Sequence, residues 1–284
     1  MKKRLFCLVI SILLLLSLCS CQEPTAPEVP LEIRFLDVGQ GDATLLRTTV
    51  GDILIDAGSD AEQDRLCLRL EQLGVTSLEL AVFTHSDEDH IGGADGVLRQ
   101  FPTKTVWISR FFQENEATLR LLSAANDTGA EIVSAFAGTQ GVFGETVLTV
   151  FSPLGSMEGA DDNDRSIVLK LCCNRVSAML MGDAAEYTES LLLDSYERVH
   201  FDSDLLKVGH HGASTSGGRR FLEAVSPKYA VISCEDGNFY GHPHGDTVAR
   251  LEEIGAEVLR TDLLGDVVFY SDGQELWRPG ERDF

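Results

Sequence analysis

The chain has 284 residues, of which 44% are hydrophobic and 24% charged, a composition that supports a full buried core. Its formal net charge is −22, opposite in sign to the basic surface with which a nucleic-acid coat protein displaces counterions from phosphates. Any phosphate-bearing substrate must therefore be met locally, by metal ions and a few positioned cations.

The first segment in chain order, "MKKRLFCLVISILLLLSLCSC", opens on Lys2, Lys3 and Arg4 and continues as an apolar run from Leu5 to Leu18 broken by Ser11 and Ser17. This is the layout of a secretory leader, and the run is short of the roughly 20 apolar residues of a spanning helix. Leu18-Cys19-Ser20-Cys21 resembles a bacterial lipobox. The expectation is a signal peptide over residues 1–20 and a lipid on Cys21 that anchors an exported protein to the membrane on its extracytoplasmic face. Residues 21–30 carry Pro24, Pro27 and Pro30 and read as an extended spacer. Losing the leader, with its three cations and no acids, moves the net charge from −22 to −25.

From Leu31 short apolar runs alternate with longer amphipathic ones. "LEIRFLDV", "DATLLRTTV" and "GDILIDAG" read as strands, and "DAEQDRLCLRLEQLG" as a helix stopped by Gly74. A strand in "LELAVFTH", a helix in "GGADGVLRQF", a strand in "TKTVWISR", a helix ending at Gly129 and a strand in "EIVSAF" follow. The second half has strands in "ETVLTVFSP", "SIVLKLCC" and "VSAMLMGD", a helix in "AAEYTESLLLDSY", then "DLLKVGHHGAS" and a helix near "GGRRFLEAV". It closes with the strand "KYAVISCE", the loop "DGNFYGHPHG", a helix in "DTVARLEEIG" and strands in "AEVLRT" and "DVVFYSDG". The expectation is an α/β sandwich, a single domain over residues 31–284 with two sheets covered by helices. Beyond the leader the cysteines are Cys67, Cys172, Cys173 and Cys234, with no CxxC spacing. Alternation sends Cys172 and Cys173 to opposite faces of a strand, which points to small buried residues and leaves one disulfide open.

The densest chemistry is in "THSDEDHIGG". Residues two apart on a strand end share a face, so His85 and Asp87 converge, and the turn after Glu88 brings Asp89 and His90 to the same pocket. Imidazole nitrogens and carboxylate oxygens are what divalent zinc, manganese or iron accept. Three other strand ends offer partners: Asp183 in "LMGDA", placed to bridge two ions, the pair His210 and His211 in "LLKVGHHG", and Asp56 in "LIDAG". Asp56 is expected to hydrogen-bond and orient a ligand histidine. Lys207, Arg165 and Arg219 are the cations available to a phosphate, and Asp37, Gln40 and Asp42 form a turn that positions the site.

The motifs "FLDVGQGDATLL", "ILIDAG", "THSDEDHIGG", "NDRSIVLKL", "LMGDA", "LLKVGHHGAST" and "NFYGHPH" occur in the order seen in the ComEC-like branch of metallo-β-lactamase-fold hydrolases. The chain resembles the metallo-β-lactamase-like domain of that competence protein from about Leu31 to about Tyr270, essentially the whole mature domain. Asp87 stands where the broader superfamily has histidine in HxHxDH, as in the ComEC-like branch. The protein's membrane channel is missing here, so a stand-alone lipoprotein form is expected.

The resemblance implies an αββα sandwich holding two divalent metal ions, zinc or manganese. It implies His85 and Asp87 on one ion, Asp89 and His90 on the other, Asp183 bridging, and one of His210 and His211 completing the site. His210 is slightly preferred as ligand, with His211 as proton donor or support. Residues 91–182 hold no histidine, so the superfamily's additional ligand has no counterpart, and Asn163 or Ser166 is a candidate to fill the gap. The carboxylate makes the site harder and shifts the expected ion toward manganese. The expected reaction is hydrolysis by metal-activated water, with Asp89 orienting it or accepting its proton and His242 or His244 as acid or substrate contact. The expected substrate is a phosphodiester, DNA or short oligonucleotides. Alternatives are another ester or amide in the same site, or a lipid-anchored binding module.

Overall fold

The computed structural model describes residues 29–282 apart from 156 and 158; the expected leader, Cys21 and all but the end of the spacer lie outside the described residues. Strands β1 (Leu31–Phe35), β2 (Thr44–Thr48) and β3 (Gly51–Ile55) form an antiparallel meander, to which β4 (Leu78–Phe83), β5 (Thr103–Ser109) and β6 (Glu131–Ala135) add in parallel. Helices α1 (Gln63–Gln72), α2 (Glu88–Ile91), α3 (Ala94–Gln100) and α4 (Glu116–Thr128) make the crossovers. In α4 the Asn115 side chain accepts the Thr118 N–H at 2.8 Å, and Gly129 closes the helix at φ 77, a side-chain cap at one end and a left-handed stop at the other.

The second sheet begins with antiparallel β7 (Gln140–Phe143), β8 (Thr146–Ser152), β9 (Val168–Cys173) and β10 (Val176–Leu180). It continues in parallel through β11 (Leu205–Lys207), β12 (Tyr229–Ile232) and β13 (Glu257–Arg260), with α5 (Glu186–Ser195), α6 (Arg219–Val225) and α7 (Gly245–Glu253) between them. After the one-turn α8 (Thr261–Leu264), β14 (Val267–Ser271) and β15 (Leu276–Trp277) return to the first sheet, where β14 pairs with β1. The first sheet runs β15-β14-β1-β2-β3-β4-β5-β6 and the second β13-β12-β11-β10-β9-β8-β7. Because the first sheet is completed by the last strands, the chain is one domain rather than two halves.

Strand periodicity assigns each apolar side chain to a layer. Ile53, Ile55, Leu80 and Val82 point inward against Val150, Leu169, Leu171 and Leu180 of the opposite sheet. Their neighbours Leu54, Ala81 and Phe83 point outward and are covered by Leu66 and Leu70 of α1, Val97 of α3 and Leu121 of α4. The second sheet's outer face, with Met179, Leu206 and Ile232, is covered by Leu192 of α5, Phe221 and Leu222 of α6 and Leu251 of α7. The result is the αββα layering expected from the sequence. Each of the valine, leucine, isoleucine, phenylalanine and methionine side chains among these contributes about 1.5–3 kcal/mol on burial.

Sequence reading passed over β7 and β15. β7 is an edge strand with Gly141 inside it and no buried residue, and β15 is two residues long, so neither carries an apolar period. Cys67, Cys172, Cys173 and Cys234 are all free thiols; Cys173 faces the inter-sheet core and Cys172 the half-buried outer face. Among the described residues no helix is long and apolar enough to cross a membrane.

One buried carboxylate ties the outer helices to the functional edge. Glu189 of α5 accepts the N–H groups of Gly217 and Gly218 at 2.6 and 2.7 Å, in the segment leading from "HHGAST" into α6. Burial pushes its carboxyl up to about 7 from an ordinary 4.5, against the pull of the two N–H groups. A carboxyl with a raised folded-state value lends stability that is complete below about 4.5 and is lost as pH rises through about 7. Glu189→Gln, which turns an amide against one of those N–H groups, should cost about 1–3 kcal/mol at acidic pH. The melting-temperature gap to wild type should narrow as pH rises from 4.5 to 7; a calorimetric gap that does not change with pH would contradict the raised value.

Candidate metal centre

The parallel blocks β3–β4 and β10–β12 end at one edge of the sandwich, so the segments leaving them meet there, as ligand-binding segments do at the carboxyl ends of strands in open α/β sheets. β3 delivers Asp56 and β4 delivers Thr84 and His85; α2 supplies Asp89 and His90; β10 leads through Gly182 to Asp183; β11 leads to His210 and His211. Asp56, His210 and His211 all have left-handed backbones, at φ 58, 47 and 52. Non-glycine residues hold that conformation only where the surroundings impose it.

The histidines are oriented from behind. The Asp56 carboxylate accepts the Thr84 N–H at 2.8 Å and the Thr84 hydroxyl at 2.8 Å, and lies 2.9 Å from His90 Nδ1. Thr84 Oγ1 is 3.1 Å from His85 Nδ1, and the Ser233 carbonyl is 3.0 Å from His211 Nδ1. With each Nδ1 facing an acceptor, the neutral tautomer presents an Nε2 lone pair inward. Those Nε2 atoms of His85, His90 and His211 are buried and have no hydrogen-bond partner. They lie 4.0, 3.2 and 3.5 Å from the Asp183 carboxylate.

Buried lone pairs beside buried carboxylates are costly unless a cation takes them up, so the residues present fit a divalent metal. His85, His90 and Asp183 form one set of donor atoms within 4.8 Å of one another, and Asp89, His90 and His211 form another. Burial disfavours charge on His90 and His211, yet the surrounding carboxylates together outweigh it, Asp183 joined by Asp56 at His90 and by Asp89 and Asp42 at His211, and hold both imidazoles above the usual histidine range. The same imidazoles keep Asp183 well below the carboxylate range, burial notwithstanding. Burial likewise opposes ionisation of Asp89, but the His211 ring beside it and the His90 ring together bring that carboxyl down to about 2. Protons and a divalent cation therefore compete for the same Nε2 atoms.

The turn "DVGQGD" packs straight onto this site. Asp42 N–H donates to the Asp89 carbonyl at 3.2 Å. A Cβ on Gly41, at φ 148, would stand 2.3 Å from that same carbonyl oxygen, so only glycine allows the approach. Opposite, Ser166 Oγ accepts the Asp183 N–H at 3.2 Å and Asn163 Nδ2 lies 3.4 Å from His210 Nε2. Asp164 holds this second turn in place by capping α5 from a distance, through the N–H groups of Ala185 and Thr188, both at 3.2 Å.

Several expectations are corrected. Lys207 does not face a phosphate: it is 2% exposed, and its Nζ lies 2.7 Å from Asp42 and 2.9 Å from the Val208 carbonyl. A buried ammonium needs such a counter-charge, and Asp42 in turn lies 3.6 Å from His211 Nδ1. The preference for His210 over His211 is reversed, because His211 is 1% exposed with Nε2 3.2 Å from Asp89, whereas His210 stands 3.9 Å from Asp183 and is partly exposed. The preference rested on His210 lying nearer the strand, but the two consecutive left-handed residues turn the chain so that the second ring faces inward.

Asp89 and His90 stand in one donor set with His211 as its third member, and Asp87 lies at the rim, 48% exposed and 3.6 Å from His85 Nε2. Arg219 is spent on Glu223 and Glu253 at 3.2 and 3.3 Å. Arg165 lies over the Phe111 ring at 5.6 Å, and its buried Nε has no hydrogen-bond partner. His242 packs against His210 and His211 with centroids 5.4 and 6.1 Å away, and His244 against His242 at 5.2 Å. Thr84 and the Ser233 carbonyl went unread, since neither a threonine nor a main-chain oxygen carries a signal in sequence.

The family model described as the metallo-beta-lactamase superfamily matches residues 36–236. The chain belongs to that superfamily. It is a metal-dependent hydrolase by that membership and by the donor sets at its strand ends. It is 29% identical over 256 residues to ComE operon protein 3 of Bacillus subtilis, covering 84% of this chain and 33% of that protein. It is 30% identical over 262 residues to competence protein ComA of Neisseria gonorrhoeae, covering 91% of this chain and 35% of that protein. The chain thus spans about a third of the length of the curated relatives it matches. Among solved structures, the metallo-beta-lactamase fold protein YhfI of Bacillus subtilis superposes with a TM-score of 0.58 at 12% identity, over 85% of this chain and 100% of that one. That likeness establishes the fold.

In this metal-dependent hydrolase the Asp56 network predicts a measurable defect. Asp56→Asn sets an amide against either the Thr84 N–H or His90 Nδ1, so metal affinity should fall about 10- to 100-fold. Competition with a chromophoric chelator reads this directly, and an unchanged affinity would remove Asp56 from the orienting role.

Proposed function

We propose that this protein hydrolyses phosphodiesters at the cell surface, as a phosphodiesterase or nuclease. The observation that carries the reading is the carboxylate-rich donor set, in which Asp87, Asp89 and Asp183 stand beside three imidazole Nε2 atoms that have no hydrogen-bond partner. Such a set is harder than an all-histidine one and suits manganese or zinc acting on an oxygen-rich substrate. The relatedness to proteins named for competence supports a nucleic-acid substrate. Two bound ions would polarise a phosphoryl oxygen and acidify water.

The chain's own residues supply positioning and proton handling. Asp183 and the three histidines would hold the ions, and Asp56, Thr84 and Ser233 fix the rings. Asp89, with its carboxyl held near 2, is ionised at neutral pH and partly exposed, so it can orient a water or accept its proton. Burial, then the charges of His211, His210 and His244, push His242 down to about 4. It is therefore a neutral ring at pH 7, suited to a substrate contact rather than to delivering an imidazolium proton. With Lys207 and Arg219 committed to carboxylates, long duplexes gain little from this surface, and short or single-stranded substrates fit it better.

The purified full-length chain, given manganese or zinc, should cleave bis-p-nitrophenyl phosphate and single-stranded DNA but not an acyl ester. Asp89→Ala and Asp183→Ala should each lose about 100-fold or more in rate. Failure to cleave any phosphodiester with either metal, or full activity in both variants, would refute the assignment. The lipid anchor is tested separately: Cys21→Ser should leave the membrane fraction and fail to take up labelled fatty acid.

A further inference from the structure

The loop between β12 and α7 carries Phe239 at 99% and Tyr240 at 64% exposure, and Phe239 is the most exposed large apolar side chain among the described residues. A fully hydrated phenyl ring gains nothing for the fold, which directs attention to what it faces. The loop is braced. Asn238 accepts the His242 N–H at 3.0 Å and donates to the Glu235 carbonyl at 2.8 Å, and the Gly241 N–H returns to the Asn238 carbonyl at 3.2 Å. Its far end is fixed to the histidine turn, where the His244 N–H meets the Gly212 carbonyl at 2.9 Å and a Cβ on Gly212 would stand 2.7 Å from Pro243.

This bracing puts a row of rings in order. His242 lies 29° from parallel to His211 with centroids 6.1 Å apart, and Tyr240 lies 20° from parallel to His242 at 5.6 Å. Phe239 stands edge-on to Tyr240 at 6.1 Å and 81°. The rings step outward from a histidine whose Nε2 faces Asp89 and Asp183, so the row leads from the candidate metal centre to the exposed Phe239. An aromatic face binds any unpaired base by stacking and needs no positive charge. Such a contact suits a chain of net charge −22 in which Lys207 and Arg219 are paired with carboxylates.

We propose that Tyr240 and Phe239 form a stacking platform that seats one unpaired nucleobase beside the scissile phosphodiester, which makes single-stranded oligonucleotides the substrate class; this rests on the phosphodiesterase reading. Bases in a duplex are already stacked on their neighbours and are withheld from the platform, and a phosphodiester without a base has nothing to place on it.

The test is a short single-stranded oligonucleotide containing 2-aminopurine, whose fluorescence is quenched on stacking, titrated with the full-length chain in the presence of chelator. Wild type should quench it. Tyr240→Ala should weaken binding roughly 5- to 150-fold and remove the quench, Phe239→Ala should act in the same direction, and Tyr240→Phe should restore both. An oligonucleotide abasic at that position should bind wild type and Tyr240→Ala equally weakly. Equal quenching by wild type and Tyr240→Ala overturns the platform, as does an equal loss with the abasic strand. Loss of binding to phosphatidylglycerol vesicles with unchanged oligonucleotide affinity overturns it in favour of a membrane contact. Wild-type cleavage of phosphodiesters, measured in parallel with manganese, separates these outcomes from a failure of the underlying activity.

Discussion

The metal centre depends on the Asp56 carboxylate. It sits at a left-handed backbone position where β3 ends, 1% exposed, and it collects the Thr84 N–H, the Thr84 hydroxyl and His90 Nδ1. Through Thr84 it reaches His85 as well. One buried charge thus joins the ends of two parallel strands and sets the direction of two imidazoles. A buried carboxylate without such donors would be costly, so the strained backbone, the hydrogen bonds and the ring orientations hold one another in place.

On the facing sheet a second buried charge pair has the corresponding place. Lys207 at the end of β11 neutralises Asp42, which lies beside His211, while the Ser233 carbonyl fixes that ring. The two sheets therefore contribute separately oriented histidines to a carboxylate, Asp183, that belongs to neither histidine's own segment. Glycines let the connecting turns come close enough: at Gly41 a side chain would strike the backbone of Asp89. The acidic character of the chain as a whole and the acidic character of this pocket are separate facts, and only the second bears on chemistry.

Much of this was legible in the sequence. The apolar alternation in "GDILIDAG" and "LELAVFTH" assigns each residue to the inter-sheet core or to a helix-covered face, and the observed layers follow it. Edge elements were not legible: β7 and β15 are too short or too exposed to carry a period. Within the site, His85, Asp89, His90 and Asp183 could be picked out because each stands just past an apolar run. Lys207 misled for the same reason. A lysine at a strand end looks available to a ligand until its partner, 165 positions away in sequence, is found to be Asp42.

The sequence by itself determined the inventory of donors, the layer order and the turns that end each strand, because these follow from local periodicity and residue chemistry. Only the tertiary structure decided that His211 rather than His210 turns inward, that Thr84 and a main-chain carbonyl set the tautomers, and that Phe239 and Tyr240 are held in a braced row beside the site. Those outcomes depend on left-handed residues and on contacts between distant segments. Neither obeys the two-residue repeat that lets a strand be read from its letters.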